Sequence, residues 1–473
     1  MNKVTIIATV VAASLSIRGH GQSRYTHDRV YTANQISNTV SVVDPSKNRF
    51  LGEIVLGQPF PNILSPLYKG ESLVHGLRYL PQQKLLAVVS IGSNSVTFIS
   101  TETNKVLGKV YVGRSPHEPT FTPDSKQVWI SVRGEAYVSV IDVSNMKEVK
   151  QVPVADGPGM IAFAPDGNEA YICSSFSAEV DVVNCNSYEI VKRIPVVSPF
   201  SPNIFTSPDG KLIALTHKDV GKVTVISTGN REVLRVINTG PITNHVIFAN
   251  VNKRLLMFVT VGGENKVKVF DVAENFNQIN TITVGTLPHG LWASPDGEIV
   301  YVGLEYADQV QSIDTKTMVA NPPIQIGQSP QALVYAENAV TESRNTLNLS
   351  PPFNPEASQI VTLHGIDKSE RGYGRLVVRS IGLTDMVEQI FTSLQAGNSY
   401  TLSVTNSDRA PFTNYFAINS FTADVNGKYN GQSTGLIKKL TTTGATCIYR
   451  HIILTNNRNG KVVMIDDLPA ANK

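Results

Sequence analysis

The sequence predicts an all-β protein, a seven-bladed β-propeller followed by a smaller β-sandwich-like domain. The main observation is a short apolar strand that recurs with start-to-start spacings of 56, 42, 42, 43, 44 and 43 residues. A period of about 40 to 45 residues with several strands per unit is typical of propellers, because one four-stranded sheet cannot bury both of its faces alone. The copies, called marker strands below, are Val40–Asp44, Val96–Ser100, Val138–Asp142, Val180–Asn184, Val223–Ser227, Val267–Asp271 and Val310–Asp314.

Tight turns upstream of the markers support the same fold. Pro-Asp turns stand within residues 121–124, 163–167, 206–210 and 293–297, and the last three of them continue into Gly. Proline fixes φ, Asp caps the turn and Gly takes the left-handed position, so each turn joins two strands of a hairpin. With the marker and a strand after it, each unit supplies four strands.

The ends of the repeat region predict how the ring closes. Only one strand, Val30–Asn34, precedes the first marker, so blade one lacks its inner strand. Gln331–Ala336 has the inner-strand pattern, but no blade follows it. We expect this segment to complete blade one, because closure removes the unpaired edges of an open ring.

These residues carry a resemblance to a known family. Tyr31–Asn34, the marker Val40–Asp44, Pro288–Gly290 and the repeated Ser-Pro-Asp-Gly turns resemble the YVTN family of bacterial seven-bladed propellers over roughly Val30–Ala336. The resemblance implies a fold similar to the propellers of nitrous oxide reductase, cytochrome cd1 nitrite reductase and sugar lactonases. The sequence has no haem-attachment CxxCH and no lactonase-type Pro-Arg-His, so those activities are not implied.

The chain divides into four predicted segments. Lys3 followed by the apolar stretch Val4–Ile17 indicates a secretory signal peptide over residues 1–21, so we expect a periplasmic or extracellular protein. The stretch is too short for a comfortable membrane span, and no transmembrane anchor is expected. The propeller is assigned to residues 22–340, a polar, proline-bearing linker to 341–355, and a small accessory domain to 356–473.

The accessory domain is predicted from alternating apolar strands. One segment, Asp385–Leu394, has helical spacing and is predicted as a short helix. Turn signals stand at Gly397-Asn398 and Asn426-Gly427. The strands are expected at Ile360–His364, Arg375–Arg379, Ser399–Thr405, Phe416–Phe421 and Tyr449–Thr455.

Charge and cysteine content limit the partners. The formal net charge is +3 over 473 residues and falls to +1 without residues 1–21, so a nucleic-acid partner is not expected. Three cysteines form no disulfide framework. Cys173 and Cys185 flank one hairpin and are either a bridge or two small apolar residues in strands, the second being favoured by the general burial of Cys.

The predicted functional face is the one where inner strands begin and where second strands connect to markers; we call it the mouth. Counting back 20 to 22 residues from the markers gives the starts of the inner strands. Four of the nine histidines in the chain fall at this position. The starts are His75, His117, Gly159, Asn203, His245 and His289, with Gln331 on the closing strand.

Charged residues gather in the other loops of the mouth. An insertion at Gln58–Leu73 lengthens a connection on the same face and is expected to form a rim, since binding functions often use long loops on a rigid scaffold. We predict that the ligand-binding residues are His75, His117, Glu118, Arg133, Glu135, Asn203, Lys218, His245, Glu264, His289 and Glu305.

Three chemistries fit this mouth. Imidazoles that converge on an axis suit copper or zinc, with His75, His117, His245 and His289 as ligands. The alternatives are a pocket for an anion or sugar, and a repeated turn residue that bonds to the next blade. Nucleophile-elbow, P-loop and HExxH motifs are absent from the sequence. We therefore expect an exported, non-catalytic binding or scaffold protein for a small-molecule or protein ligand; the alternative is a metal- or cofactor-dependent periplasmic oxidoreductase.

Overall fold

The computed structural model describes residues 24–58, 68–352, 358–366, 372–380, 385–407, 409–413, 415–435 and 451–467. The predicted signal peptide, residues 59–67 of the mouth insertion and Cys447 lie outside these ranges. Within them, no helix has the length and apolar character that a membrane crossing requires.

The propeller consists of seven antiparallel sheets. Blades one to three contain β1 (Arg29–Asn34), β2 (Thr39–Asp44), β3 (Arg49–Val55); β4 (Val74–Leu80), β5 (Leu85–Ser90), β6 (Ser95–Ser100), β7 (Lys105–Tyr111); and β8 (Pro116–Phe121), β9 (Gln127–Val132), β10 (Tyr137–Asp142), β11 (Lys147–Pro153). Blades four and five contain β12 (Pro158–Phe163), β13 (Glu169–Ser174), β14 (Glu179–Asn184), β15 (Ile190–Pro195); and β16 (Ile204–Thr206), β17 (Leu212–His217), β18 (Lys222–Ser227), β19 (Glu232–Asn238). Blades six and seven contain β20 (Thr243–Val251), β21 (Arg254–Val261), β22 (Lys266–Asp271), β23 (Asn277–Thr283); and β24 (Pro288–Ala293), β25 (Ile299–Leu304), β26 (Gln309–Asp314), with an outer strand split into β27 (Val319–Ala320) and β28 (Ile324–Gln325).

The last strand of the propeller, β29 (Pro330–Ala336), closes the ring as predicted. It pairs with β1, with Val30 opposite Tyr335, and the sheet order of blade one is β29-β1-β2-β3. The chain therefore joins its two ends within one blade, and the seven-bladed prediction is confirmed.

The predicted repeat elements also occupy their expected places. Every marker lies in the third strand of its blade, and all six residues of β2 are buried because neighbouring blades cover both faces. In the Pro-Asp turns, Gly167, Gly210 and Gly297 have φ of 73°, 70° and 71°. Only glycine adopts this backbone conformation without strain, so these turns are the predicted hairpins.

The C-terminal domain is one nearly closed eight-stranded sheet, which confirms the predicted small β domain. Its order is β34-β33-β36-β37-β30-β31-β32-β35. The end strands approach each other through the stacked rings of Phe421 and Tyr429, whose centroids lie 3.9 Å apart. The strands are β30 (Ser358–Gly365), β31 (Tyr373–Ser380), β32 (Asp385–Thr392), β33 (Ser399–Thr405), β34 (Tyr415–Thr422), β35 (Tyr429–Gly435), β36 (His451–Asn456) and β37 (Lys461–Asp466).

One predicted element of this domain is wrong. The segment Asp385–Leu394, predicted as a helix, forms strand β32 over most of its length. Both faces of β32 are covered: Val387 and Phe391 pack in the core of the domain, and Ile390 packs against the propeller. Because both faces are buried, the strand lacks the polar and apolar alternation that identifies a half-buried strand.

The C-terminal domain docks on the mouth through one loop of blade seven. Arg379 is 0% exposed and forms ion pairs with Asp308 of that loop and with Glu388 of its own domain, the latter at 2.8 Å. Its Nη2 also donates to the backbone oxygen of Glu305 at 3.2 Å. Around these charges, Tyr306, Leu287 and Ile242 of the propeller pack against Val377 and Ile390. The docked domain therefore holds the loop that carries Glu305.

The two described cysteines are free thiols. Cys173 lies near the mouth end of β13, and Cys185 follows the last residue of β14 at the opposite face of the propeller. Cys173 is paired with Val180, and Cys185 lies five residues further along; at about 3.3 Å per residue the two cysteines are roughly 17 Å apart, which is far beyond a disulfide. The bridge alternative is wrong, and both residues pack as small apolar groups in different clusters.

Candidate functional site at the propeller mouth

The mouth side chains stand on β-bulges at the starts of the inner strands. In blade two, Val74 pairs with Ser90 and Leu77 with Val88, so two residues of β4 oppose one of β5. The same one-residue shift occurs in blades one, three, four, six and seven. A bulge re-aims side chains at the end of a strand. The inner strands therefore present consecutive residues to the axis at the mouth.

The hydrogen-bonded pairing of the strands shows which residues of different blades lie at the same level along the axis. In blades five and six these are not the residues that counting from the marker predicts. Residues on one ladder level are Leu77, Val88 and Thr97 in blade two, Ile204, Leu215 and Thr224 in blade five, and Val246, Val259 and Lys268 in blade six. Two residues before Leu77 stands His75, whereas two before Val246 stands Asn244. The count places His245 and Asn203 one residue too early. In blade five the hairpin matches that of blade two and the count of 20 residues is one too short, whereas in blade six the first hairpin is two residues longer.

The bulges thus form two rings of residues around the axis. The upper ring consists of Gln331, His75, His117, Gly159, Pro202, Asn244 and His289. The lower ring consists of Ala332, Gly76, Glu118, Met160, Asn203, His245 and Gly290. Three of the predicted histidines share one position, and His245 belongs to the ring below them.

His75 and His117 lie side by side, with ring centroids 4.6 Å apart. Nδ1 of His75 is 2.9 Å from Oε1 of Gln35, and Nδ1 of His117 is 2.6 Å from the carbonyl oxygen of Gly159. Because these oxygens only accept, each Nδ1 carries the hydrogen and each Nε2 keeps its lone pair. Burial lowers the pKa of both rings well below 6.5, so both are neutral at pH 7.

His289 and Glu305 form the acidic side of the mouth. Nδ1 of His289 lies 3.0 Å from Oε2 of Glu305, and the ring of His245 lies 5.0 Å from that of His289. Burial raises the pKa of Glu305, but its interactions with His289 and Lys218 outweigh burial and lower the pKa to about 2. Burial also lowers the pKa of His289. Glu305 is therefore an anion at neutral pH, beside a neutral imidazole.

Arg133 and Lys218 are the cations of the mouth, on the loops that lead into the markers of blades three and five. The guanidinium of Arg133 stacks over Phe200 at 5.4 Å. Neither cation forms an ion pair with any described residue. Burial lowers the pKa of both groups, and each is near enough to the histidines to lower their pKa further. The mouth therefore holds two cations and one carboxylate, Glu305, at close range.

Two predicted residues lie outside this group. Glu135, with 42% of its side chain exposed, is 3.7 Å from Arg114, and Glu264 is 2.8 Å from Lys268. Both carboxylates are therefore paired with a neighbouring cation, and neither lines the cavity beside Lys218 and Glu305. The described base of the mouth insertion is anchored by Glu71, which pairs with Lys109.

The lower ring is crossed by Arg78, which sequence reasoning missed. Its Nη1 lies 3.5 Å from Oε2 of Glu118, its Nη2 lies 3.6 Å from Sδ of Met160, and its guanidinium stands 4.8 Å from the ring of Trp292. Asn203 also contacts Met160, at 3.2 Å. Arg78 of blade two thus reaches blades three, four and seven and blocks the axial channel. In the sequence, Arg78 is distinguished only as the one charged residue at this position of the inner strands. Its counterparts in the other blades are Thr120, Ala162, Phe205, Ile247, Trp292 and Val334.

The C-terminal sheet turns the mouth into a chamber, which the sequence did not reveal. A cavity of about 390 Å³ lies between Lys218 and Glu305 of the propeller and Glu388 of β32. It is completed by Ile242, Leu287, Tyr306, Ile390, Asn430, Gly431 and Gln432. Of the predicted binding residues, Lys218 and Glu305 line this cavity, which the C-terminal sheet bounds on its other side.

The predicted metal site has its imidazoles in two pairs. Among the described residues, no three His, Cys, Asp or Glu side chains stand together in a group that could hold a metal ion. A metal needs its nitrogen ligands at about 2.0 to 2.1 Å from one centre. The pair of His75 and His117, with both Nε2 lone pairs free, offers two ligands, and the copper or zinc site remains a prediction.

Comparisons with known proteins agree on the propeller. The family model described as "Lactonase, 7-bladed beta-propeller" matches residues 95–319, which is less than half of the chain. No curated protein sequence matches the chain.

Solved structures of other proteins are similar in fold. Hydrazine synthase of Kuenenia stuttgartiensis aligns with a TM-score of 0.51 and 21% identity over 57% of this chain and 92% of that chain. A protein of Desulfotomaculum acetoxidans DSM 771, described as functionally unknown, aligns with a TM-score of 0.55 and 12% identity over 66% of this chain and 99% of that chain. Identities this low show the fold alone. The protein is therefore a seven-bladed β-propeller with a C-terminal β domain, and its resemblance to the YVTN family remains a prediction.

Proposed function

We propose that this protein is an exported binding protein of the YVTN type, and that its chamber binds a small carboxylate that carries hydroxyl groups. The proposal rests on two cations of the mouth, Arg133 and Lys218, neither of which pairs with a carboxylate in the described part of the chain, and on the cavity between Lys218 and the C-terminal sheet. Export rests on the sequence of residues 1–21, and the function rests on the charges and polar groups of the chamber.

The charge balance favours a monoanion. Arg133 and Lys218 carry two positive charges and Glu305 supplies one negative charge. Arg379 is balanced by Asp308, and burial raises the pKa of Glu388, which disfavours the charged form of that carboxyl group. Removing charges from water is costly unless opposite charges compensate them. One ligand carboxylate near Lys218 would compensate the remaining positive charge of the mouth.

The polar lining favours hydroxyl groups on the rest of the ligand. Glu305 accepts hydrogen bonds, and the side-chain amides of Asn430 and Gln432 both donate and accept them. A cavity of about 390 Å³ is at the small end of known ligand pockets, which span roughly 300 to 1,000 Å³. This volume suits a single sugar acid or hydroxy acid.

The acid-base properties of the chamber favour binding over catalysis. An efficient general base has a pKa near the working pH. The pKa of Glu305 is about 2, and burial lowers that of His289, so both are weak bases at pH 7. The name of the matched family suggests lactone hydrolysis, but these two groups of the mouth are not tuned for it.

Calorimetric titration of the purified full-length protein tests the proposal. We expect gluconate to bind, and both sorbitol, which lacks the carboxylate, and hexanoate, which lacks the hydroxyls, to bind at least about tenfold more weakly. The substitution Lys218→Met should weaken the binding of gluconate by a similar factor. Lys211→Met is the matched control, because Lys211 is at the other end of the same strand, on the opposite face. Equal affinity for all three compounds, or equal loss in both variants, contradicts the proposal.

A copper- or zinc-dependent oxidoreductase is the second candidate. It is supported by His75 and His117, which hold their Nδ1 hydrogens on oxygen acceptors as metal-binding histidines do. Equilibrium dialysis against each metal, followed by elemental analysis, tests it. Stoichiometric metal that is lost in His117→Gln and His75→Gln, but kept in His364→Gln at the surface, supports this candidate; substoichiometric metal in all variants contradicts it.

A further inference from the structure

The axial channel has a second compartment below Arg78. The inner strands run from the mouth toward the Pro-Asp turns, and their lower halves surround a cavity of about 230 Å³. We call this cavity the cup. Its side chains include Arg78, Phe121, Phe163, Phe205, Thr206 and Trp292. The lower ring lies between the cup and the chamber, which is at the mouth end of the propeller.

The walls of the cup are aromatic. The rings of Phe205 and Trp292 meet edge to face with centroids 5.2 Å apart, and Phe163 is held in the same way against Trp129 at 5.3 Å. Phe121, Phe205 and Trp292 are only partly buried, so their faces remain accessible at this end of the channel. Edge-to-face pairs fix ring positions and leave flat surfaces on which another ring can pack.

The only group of the cup that is charged at neutral pH is the guanidinium of Arg78, and its hydrogen bonds are incomplete. Of its five N–H donors, one binds the carbonyl oxygen of Leu77 at 2.9 Å and another faces the weak acceptor Sδ of Met160. Glu118 is 3.5 Å away, beyond hydrogen-bond distance, and its Oε2 has no hydrogen-bond partner among the described residues. A buried cation with free donors is an anion-binding group.

We propose that the cup binds a small aromatic carboxylate, with its ring among Phe121, Phe205 and Trp292 and its carboxylate on Arg78. The volume of about 230 Å³ holds one ring system and excludes a nucleotide or a peptide strand. This site is independent of the proposed chamber, because it lies at the other end of the channel and shares no lining residue with it.

The fluorescence of Trp292 gives a direct readout. The chain has two tryptophans, and the other, Trp129, is fully buried. In a Trp129→Phe background, we expect benzoate to change the emission of Trp292 with a dissociation constant of about 1 mM or tighter. Benzyl alcohol, which has the ring without the charge, and cyclohexanecarboxylate, which has the charge without the aromatic ring, should each bind at least about tenfold more weakly.

Variants separate this site from the chamber. Arg78→Met should abolish benzoate binding, and Arg78→Met with Glu118→Gln should do the same without leaving a buried carboxylate alone. Lys218→Met should bind benzoate as the parent does. The proposal is overturned if benzoate and benzyl alcohol bind equally, if benzoate does not bind, or if Lys218→Met weakens benzoate as much as Arg78→Met does. The first two outcomes need no Arg78 variant, so they decide the proposal even if the Arg78 variants do not fold.

Discussion

Acidification from pH 6.5 to 5 should destabilise this protein steeply, because the propeller holds imidazoles that burial keeps neutral. Burial lowers the pKa of His75, His117 and His245 well below 6.5, that of His289 below 6.5, and that of His217 to about 4. In the unfolded chain these groups take up protons below about pH 6.5. Their contribution to stability is complete above that pH and is lost as the pH falls below it.

Two buried carboxyl groups act in the opposite direction. Burial raises the pKa of Glu118 to about 7 and raises that of Glu388, so the folded protein holds protons that the unfolded chain releases above about pH 4.5. The five imidazoles outnumber the two carboxyl groups, so the unfolded chain binds up to about three more protons than the folded protein in this pH range. At about 1.4 kcal/mol per proton and pH unit, the free energy of unfolding should fall by up to about 4 kcal/mol per pH unit between roughly pH 6 and 5.

Urea denaturation followed by tryptophan fluorescence measures this slope, since Trp129 and Trp292 both lie in the propeller. His117→Gln keeps a donor for the carbonyl oxygen of Gly159 and removes one titrating group, so it should reduce the slope by about 1.4 kcal/mol per pH unit. His364→Gln is the control, because that side chain is 60% exposed. A stability that stays constant or rises from pH 6.5 to 5, or equal slopes in both variants, refutes the reasoning.

Three further predictions follow from the packing. A chain that ends at Pro330 should not fold, whereas one that ends at Pro352 should fold, because β29 completes blade one; circular dichroism and cooperative urea unfolding distinguish them, and a folded shorter chain contradicts the closure. Arg379→Met should cost about 3 to 5 kcal/mol in urea denaturation, because it leaves Asp308 and Glu388 buried without a counter-charge, while the exposed Arg409→Met should change stability by less than about 0.5 kcal/mol. In a Cys447→Ser variant, Cys173 and Cys185 should react with a thiol reagent only after unfolding, because burial raises the pKa of both thiols to about 12; rapid labelling of the native protein would show that one of them is accessible.

The architecture of the propeller was predictable because it repeats. Seven copies of one strand fix the number of blades, and a leftover inner strand at Gln331–Ala336 identifies the closing segment. The same redundancy identified Arg133, Lys218 and Glu305, since each stands five residues before a marker in a loop of constant length. Counting residues from a repeated strand predicts the position of a side chain only in blades whose hairpins have equal lengths.

His245 shows where residue counting fails. Strand β20 has nine residues and β21 has eight, whereas the inner strand β4 of blade two has seven and its second strand β5 has six. The longer hairpin displaces the inner strand relative to its marker, so the histidine that seems equivalent to His75 enters the ring below. Only the hydrogen-bonded register, which pairs Val246 with Val259, determines the correct level.

The cover of the mouth was beyond sequence reasoning for a different reason. Arg379 and Glu388 lie in strands, and the pattern of polar and apolar residues there does not distinguish them from ordinary exposed charges. Asp308, which pairs with Arg379, is about 70 residues away along the chain and belongs to the propeller. Such contacts depend on how two separate folds meet, and no local pattern encodes that arrangement. The consequence concerns function, because Arg379 also binds the backbone of Glu305. The C-terminal domain thus both lines the chamber and fixes the loop that carries its carboxylate. An accessory domain that holds a binding group in place is part of the site, so weakening its contact with Asp308 should weaken ligand binding together with stability.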